Sequence, residues 1–225
     1  MKNIPKLIVM LTYNDMTVKN AYEIFDRCKD SKALYWGFKE EGLPPDKMKE
    51  LYSYMKECGM TTVLEVVAYT EDECLNGAKT AVECGCDILM GTLFFESVNE
   101  YCQKHHLKYM PFVGQVKERP SVLFGSAEEI IKQANEYIKH GVFGFDLLGY
   151  RHKSCASELI KKFVAQVNAP VCVAGSVNSY ARLKEIKDCG AWAFTIGSAF
   201  FDKRFGDDIP DQINNVCEYM ERRRL

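Results

Sequence analysis

Lys39 and Glu65 are charged residues set in apolar runs. Lys39 closes Ala33-Leu34-Tyr35-Trp36-Gly37-Phe38-Lys39, and Glu65 interrupts Thr62-Val63-Leu64-Glu65-Val66-Val67. Side chains alternate along a strand, so Leu34, Trp36 and Phe38 form one apolar face and Tyr35, Gly37 and Lys39 the other. The same rule turns Leu64, Val66 and Ala68 outward and Glu65 inward, beside Val63 and Val67. A carboxylate among valines is costly unless paired or hydrogen-bonded. If the two runs are neighbouring strands, Lys39 and Glu65 reach each other. Burial lowers a lysine pKa and raises a carboxylate's, the tuning that acid–base and imine chemistry uses. A structural ion pair that helps close the fold is the plainer alternative. A slip of one residue would send Lys39, the first residue of Lys39-Glu40-Glu41, to solvent.

Asp146 is the third candidate, in Phe145-Asp146-Leu147-Leu148-Gly149-Tyr150-Arg151. Arg151 beyond it can clamp a second anionic group in bidentate fashion; alternatively Asp146 pairs with Arg151 and only shapes the loop. Asn14 and Asp15, after the first apolar run, can bind hydroxyls, although Asn-Asp is also a helix-start signal. Gln115 offers a weaker polar contact of the same kind.

A different chemistry resides in two turns. Val171-Cys172-Val173-Ala174-Gly175-Ser176-Val177-Asn178-Ser179 reads as a strand, a glycine turn and a helix starting near Asn178 or Ser179. Phe194-Thr195-Ile196-Gly197-Ser198-Ala199-Phe200-Phe201 repeats that logic. Glycine lets the backbone approach a ligand, and N–H groups at the following helix start point outward to an anion. The competing reading is a pair of tight turns that the fold alone requires.

These residues need a scaffold that gathers strand ends. An amphipathic stretch, a glycine and a short apolar run recur at Cys58-Gly59, Cys84-Gly85, His140-Gly141 and Cys189-Gly190. Glycine just past a helix end terminates it, and the apolar run that follows is a buried parallel strand. Four further runs, Leu7 to Leu11, Ala33 to Phe38, Leu107 to Val113 and Pro170 to Ala174, complete eight strands in 225 residues. Thr70-Glu71-Asp72-Glu73 and Ser126-Ala127-Glu128-Glu129 match the capping box at helix starts. Eight βα units without a linker predict an α/β protein, a (β/α)8 TIM barrel occupying 1–225 as one domain. A doubly wound sheet is the rival, but no glycine-rich fingerprint follows the first strand. The irregular segment Gly114 to Gly125 is a candidate lid over the C-terminal face.

The stretch from Ala169 to Phe201 resembles the ribulose-phosphate-binding barrel superfamily. That group includes pentose-phosphate epimerases, N-acetylmannosamine-6-phosphate epimerase, phosphoribosylanthranilate isomerase and, more distantly, keto-deoxy-phosphogluconate aldolase. The resemblance lies in Pro170-Val171-Cys172-Val173-Ala174-Gly175-Ser176 and Thr195-Ile196-Gly197-Ser198-Ala199-Phe200. It implies that Gly175, Ser176, Gly197 and Ser198 hold a substrate phosphate. The chain departs from the usual pattern by having Ser176 where a second glycine is common.

Composition is that of an ordinary globular protein, 47% hydrophobic and 27% charged. With 29 Lys+Arg against 31 Asp+Glu, the net charge of −2 gives no global field for nucleic acid or anionic membrane. No apolar run reaches the roughly 18 residues of a spanning helix, and Leu7 to Leu11 is too short for a signal-peptide core. The ten cysteines are dispersed rather than clustered, which predicts packing thiols in a reducing cytoplasm. Cys84-Gly85-Cys86 and His105-His106 lack the further ligands a metal site needs. Arg222-Arg223-Arg224 reads as a solvated helix end.

The expectation is a cytoplasmic, metal-independent isomerase or epimerase with no cofactor. It would act on a small phosphorylated sugar by proton transfer through Lys39, Glu65 and Asp146, with Asn14, Gln115 and Arg151 in contact with substrate. A Schiff-base aldolase on Lys39 is the alternative, although in the related aldolases that lysine lies on a different strand. A non-catalytic phosphometabolite-binding barrel is the third reading. Barrels of this type often form homodimers, and no residue quoted above fixes an interface.

Overall fold

Each apolar run of the sequence becomes a strand of one parallel sheet. The computed structural model describes residues 4–222. The strands are β1 (Lys6–Met10), β2 (Tyr35–Lys39), β3 (Thr61–Val66), β4 (Ile88–Gly91), β5 (Lys108–Met110), β6 (Phe145–Leu147), β7 (Val171–Val173) and β8 (Ala193–Ile196). They pair in parallel in the order β6-β7-β8-β1-β2-β3-β4-β5. The circle closes between β5 and β6, where a bridge joins Phe112 to Asp146. Three backbone bonds hold this seam: the N–H groups of Phe143 (3.0 Å) and Gly144 (3.4 Å) both donate to the Tyr109 carbonyl, and that of Asp146 donates to the Pro111 carbonyl (3.0 Å). Pro111 has no N–H to return, so the seam is sparsely laddered. The architecture is the (β/α)8 barrel expected from the sequence.

Helices α1 (Ala21–Cys28), α2 (Pro45–Glu57), α3 (Glu71–Glu83), α4 (Glu96–Lys104), α5 (Ala127–Lys139), α6 (Ala156–Gln166), α7 (Tyr180–Cys189), the short α8 (Ser198–Phe201) and α9 (Ile209–Glu221) surround the strands. Both expected capping boxes form: Thr70 caps α3 with Glu73, and Ser126 caps α5 with Glu129, side chain and backbone bonding reciprocally. At the other end of the repeat, Gly190 takes a left-handed backbone (φ 79°) to stop α7.

The alternation along the strands produces two cores. Trp36, Phe38, Leu64 and Val66 pack outward under the helices. Ile8, Met10, Val63, Ile88, Met90, Met110, Cys172 and Ala193 fill the barrel. Leu34 departs from its expected place on the helix-facing side. It precedes β2 at the barrel edge and is 61% exposed. Tyr35, Phe143 and Trp192 plug the N-terminal end, with near-perpendicular rings 5.9 and 5.7 Å apart. Access is therefore from the C-terminal face.

That face carries two antiparallel hairpins that the sequence did not reveal. Thr12–Tyr13 pairs with Met16–Thr17 after β1, and Gln115–Lys117 pairs with Val122–Phe124 after β5. The second replaces the irregular lid expected over Gly114 to Gly125. All ten cysteines are free, and six of them are buried. Among the described residues no helix is long and apolar enough to cross a membrane. Arg223 and Arg224 lie outside the described residues.

Candidate active site

Lys39 and Glu65 hold the same register on β2 and β3. Both point into the top of the barrel, where Lys39 Nζ lies 3.7 Å from Glu65 Oε1. The shorter contact of the ammonium is with Asp15, whose carboxylate accepts a hydrogen bond from Nζ. Asp15 arrives there because Asn14 and Asp15 form the two-residue turn of the first hairpin. Both take left-handed backbone (φ 48° and 67°), the geometry that short-looped hairpins demand. Thr17 then fixes the hairpin to the lysine. Its hydroxyl donates to the Lys39 carbonyl (2.8 Å) and accepts from the Lys39 N–H (3.0 Å). Burial alone would lower the lysine pKa, but the Glu65 charge and the Asp15 hydrogen bond outweigh it, and the ammonium titrates above its ordinary range. Asn-Asp between two short alternating segments was the signal for this partner. Read as a helix start, it left Asp15 only as a hydroxyl binder.

Asp146 is completely buried, and neither carboxyl oxygen has a hydrogen-bond partner. The expected alternative, a pair with Arg151, does not form among the described ion pairs. Burial, reinforced by the Glu65 charge, pushes its pKa well above the carboxylate range despite Lys39 and Arg151. Burial thus favours the protonated form of Asp146, which lies below the cavity and is not one of the residues lining it.

The cavity above it measures about 230 Å³. Lys39, Glu65 and Asp15 line one part, and the two glycine-serine turns line another, together with Thr12, Thr195, Asn178 and Asp202. The sequence reading had passed over these last four. Gly175 needs its freedom, with φ 76° and a hypothetical Cβ only 2.9 Å from the Arg151 side chain. At Gly197 a Cβ would lie 2.6 Å from Thr12 Oγ1, so only glycine lets the turn approach the hairpin that follows β1. Ser176 also takes left-handed backbone (φ 60°), which explains why glycine suits its position. The Arg182 guanidinium braces this strained turn, donating to the Ser176 carbonyl and to Asn178 Oδ1. No backbone carbonyl outside the regular elements takes the N–H groups of Gly175, Ser176 or Ser198.

The remaining expected contacts divide. Arg151, in a 3-10 turn after β6, lines the cavity. Asn14 reaches it through its backbone, the N–H donating to Ser198 Oγ (3.3 Å), while the residue itself borders a neighbouring, more open cavity. Gln115 is not at the site. It is exposed on the second hairpin, whose strand register turns it outward while Val116 is buried. That hairpin is latched across the mouth. Arg119 Nη1 donates to Glu41 (2.8 Å) and Nη2 to the Val67 carbonyl (2.5 Å), and the Tyr69 hydroxyl donates to the Glu118 carbonyl (2.7 Å). Among the described residues no group of three or more His, Cys, Asp or Glu is placed to hold a metal ion.

No protein-family model matches the chain, and no curated sequence is significantly similar to it. Solved structures do match. Orotidine 5'-phosphate decarboxylase from Pyrococcus horikoshii OT3 superposes with a TM-score of 0.72 at 12% identity, covering 95% of this chain and 98% of that one. A native KDPGal structure gives 0.70 at 12% identity over 97% and 96%. The chain has the fold of these structures, a (β/α)8 barrel. N-acetylmannosamine-6-phosphate 2-epimerase from Clostridium perfringens shares this barrel too, with a TM-score of 0.64 at 15% identity over 92% and 90%. At such identities the barrel is what is common, and the chemistry rests on this chain's own residues.

Proposed function

We propose that the protein is a sugar-phosphate isomerase or epimerase that works by proton transfer. One observation carries the reading: a single cavity joins the two donor-rich turns to the Lys39–Glu65–Asp15 cluster. The turns hold the substrate phosphate on unspent backbone N–H groups and on the hydroxyls of Ser176 and Ser198. The carbonyl end of the substrate then lies against Lys39 and Glu65. Glu65 removes the proton from the carbon beside the carbonyl. The C–H electron pair becomes the new C=C bond while the carbonyl π pair moves onto oxygen, and the Lys39 ammonium stabilises the enediolate. Return of the proton from Glu65 to the former carbonyl carbon, with the neighbouring hydroxyl proton passing to the first enediolate oxygen, isomerises the sugar; protonation of the original carbon from its opposite face, by water in the cavity, epimerises it. Asp15 holds Lys39 protonated and oriented for this role.

The raised lysine pKa supports an electrophilic ammonium over a free amine nucleophile. Lys39 is nonetheless the one lysine among the described residues that lines the cavity, which favours imine formation as the second reading and with it aldol cleavage. The open cavity beside the ion pair argues against a barrel that only binds. Incubation with phosphorylated keto-sugars in D2O tests the proposal: deuterium should enter at the carbon beside the carbonyl, and Glu65→Gln should abolish the exchange. Exchange that persists in both Glu65→Gln and Lys39→Ala removes these residues from the chemistry. A borohydride-trapped adduct on Lys39 would instead establish the aldolase reading.

A further inference from the structure

Among the described residues, Lys39 and Arg151 are the two cations that line the cavity. Lys39 is claimed by Asp15 and Glu65. Arg151 has no carboxylate partner among the described residues. Its guanidinium makes one long bond, Nη1 donating to the Ser121 carbonyl at 3.5 Å. A guanidinium stays charged at any ordinary pH, and a half-buried one with a single distant protein acceptor is poorly compensated. A bound anion would remedy this.

The position of the side chain selects which anion. A Cβ built on Gly175 would lie 2.9 Å from Arg151 Cδ and 2.9 Å from Nε. The arginine stem therefore lies flat against the turn assigned to the phosphate, and its head is carried along the same wall. Asp202 lines this cavity as well, so an arriving dianion meets a negative charge that a cation must offset. The sequence suggested Arg151 as a clamp for a second anionic group. Its contact with Gly175 attaches it to the first.

We propose that Arg151 is the counter-charge of the phosphate subsite and restricts the site to dianionic phosphate monoesters over neutral sugars. This rests on the phosphate reading of the two turns and adds the group that neutralises the ligand. The planar guanidinium offers paired N–H donors to two phosphate oxygens, and the turns supply backbone N–H groups to the others. A lysine at the same place would supply charge without the paired donors.

Calorimetric titration of the full chain with inorganic phosphate at low salt tests the assignment, with wild type compared to Arg151→Met, Arg151→Lys and Gly197→Val. Wild type should bind saturably. Arg151→Met should weaken Kd at least tenfold and flatten its salt dependence, and Arg151→Lys should fall between. A Kd within twofold of wild type for Arg151→Met overturns the role of Arg151. If Gly197→Val meanwhile loses binding, the phosphate turns themselves still stand. Unaltered binding in Gly197→Val, or no saturable binding in wild type, overturns the turn assignment and the Arg151 role together. Should Arg151→Met melt early without ligand, Arg151→Lys decides: a threefold or greater weakening supports the assignment, and wild-type affinity overturns it.

Discussion

Lys39 and Glu65 face each other across β2 and β3 in exact register, Nζ 3.7 Å from Oε1, while the shorter contact of the lysine is with Asp15 from the β1 hairpin. One ammonium therefore balances two carboxylates, at 7% exposure for the lysine side chain. The arrangement is asymmetric. Among the described residues the Glu65 carboxylate has no ion-pair or hydrogen-bond partner besides Lys39 and is free to turn to a substrate, whereas Asp15 holds the lysine by the shorter contact.

Removing the cation leaves both carboxylates facing each other. Lys39→Met should cost about 3 kcal/mol of stability, the range for one member taken from a buried pair, and should abolish turnover. Glu65→Gln leaves the Asp15 contact intact and should cost about 1 kcal/mol while lowering turnover at least a hundredfold. Urea unfolding midpoints measure the first quantity and solvent-deuterium exchange the second. Wild-type stability in Lys39→Met would mean that the pair does not hold the barrel mouth.

Asp146 links stability to pH. Its pKa is raised in the folded protein, so the native state holds a proton that the unfolded chain releases above about pH 4. The stabilising contribution is complete below that pH and is lost as pH rises towards the folded pKa. The slope is at most about 1.4 kcal/mol per pH unit. Asp146→Asn cannot ionise and should flatten this decline, melting higher than wild type at pH 8 and converging with it near pH 4. Parallel melting curves across pH 4 to 9 would show that Asp146 does not carry the linkage.

Ser176 carries a backbone strain that glycine would relieve. Ser176→Gly should raise stability by about 1 kcal/mol, the cost of left-handed backbone for an ordinary residue. Phosphate affinity should change no more than a few-fold, because the backbone N–H remains. A loss of stability would mean that the hydroxyl supports the turn more than the φ angle strains it.

The thiols should separate by burial. Burial pushes Cys86 and Cys102 up to about 12, which leaves almost no thiolate at neutral pH. Cys155 is the exposed cysteine. A disulfide reagent should titrate Cys155 first in native protein and all ten thiols only in denaturant. Rapid labelling of Cys102 in the native state would contradict its packing.

The barrel was legible in the sequence because its signals are local and repeated. A glycine after α2, α3, α5 and α7, two capping boxes and strict alternation in β2 and β3 named the strands and turned Lys39 and Glu65 inward. The two glycine-serine turns were readable for the same reason. Asp15 was not, because the contact depends on a two-residue turn folding back over β2, and Asn-Asp serves helix starts equally well. Gln115 failed for the opposite cause. Its segment looked irregular, yet it pairs with Val122–Phe124, and hairpin register rather than proximity to β5 decides where the side chain goes. Asp146 was found by its place in a strand, but its solitary state depends on which neighbours the closed barrel brings, and no spacing in the chain encodes that.

The sparse seam between β5 and β6 has a consequence for the protonation of Asp146. Asp146 supplies the backbone of its single bridge, to Phe112, and its carboxyl oxygens have no hydrogen-bond partner among the described residues. The join with fewest rungs thus lies beside a carboxyl group that the dry interior biases towards its protonated form. Hydration at that join would favour ionisation, so closure of the cylinder and protonation of Asp146 support each other.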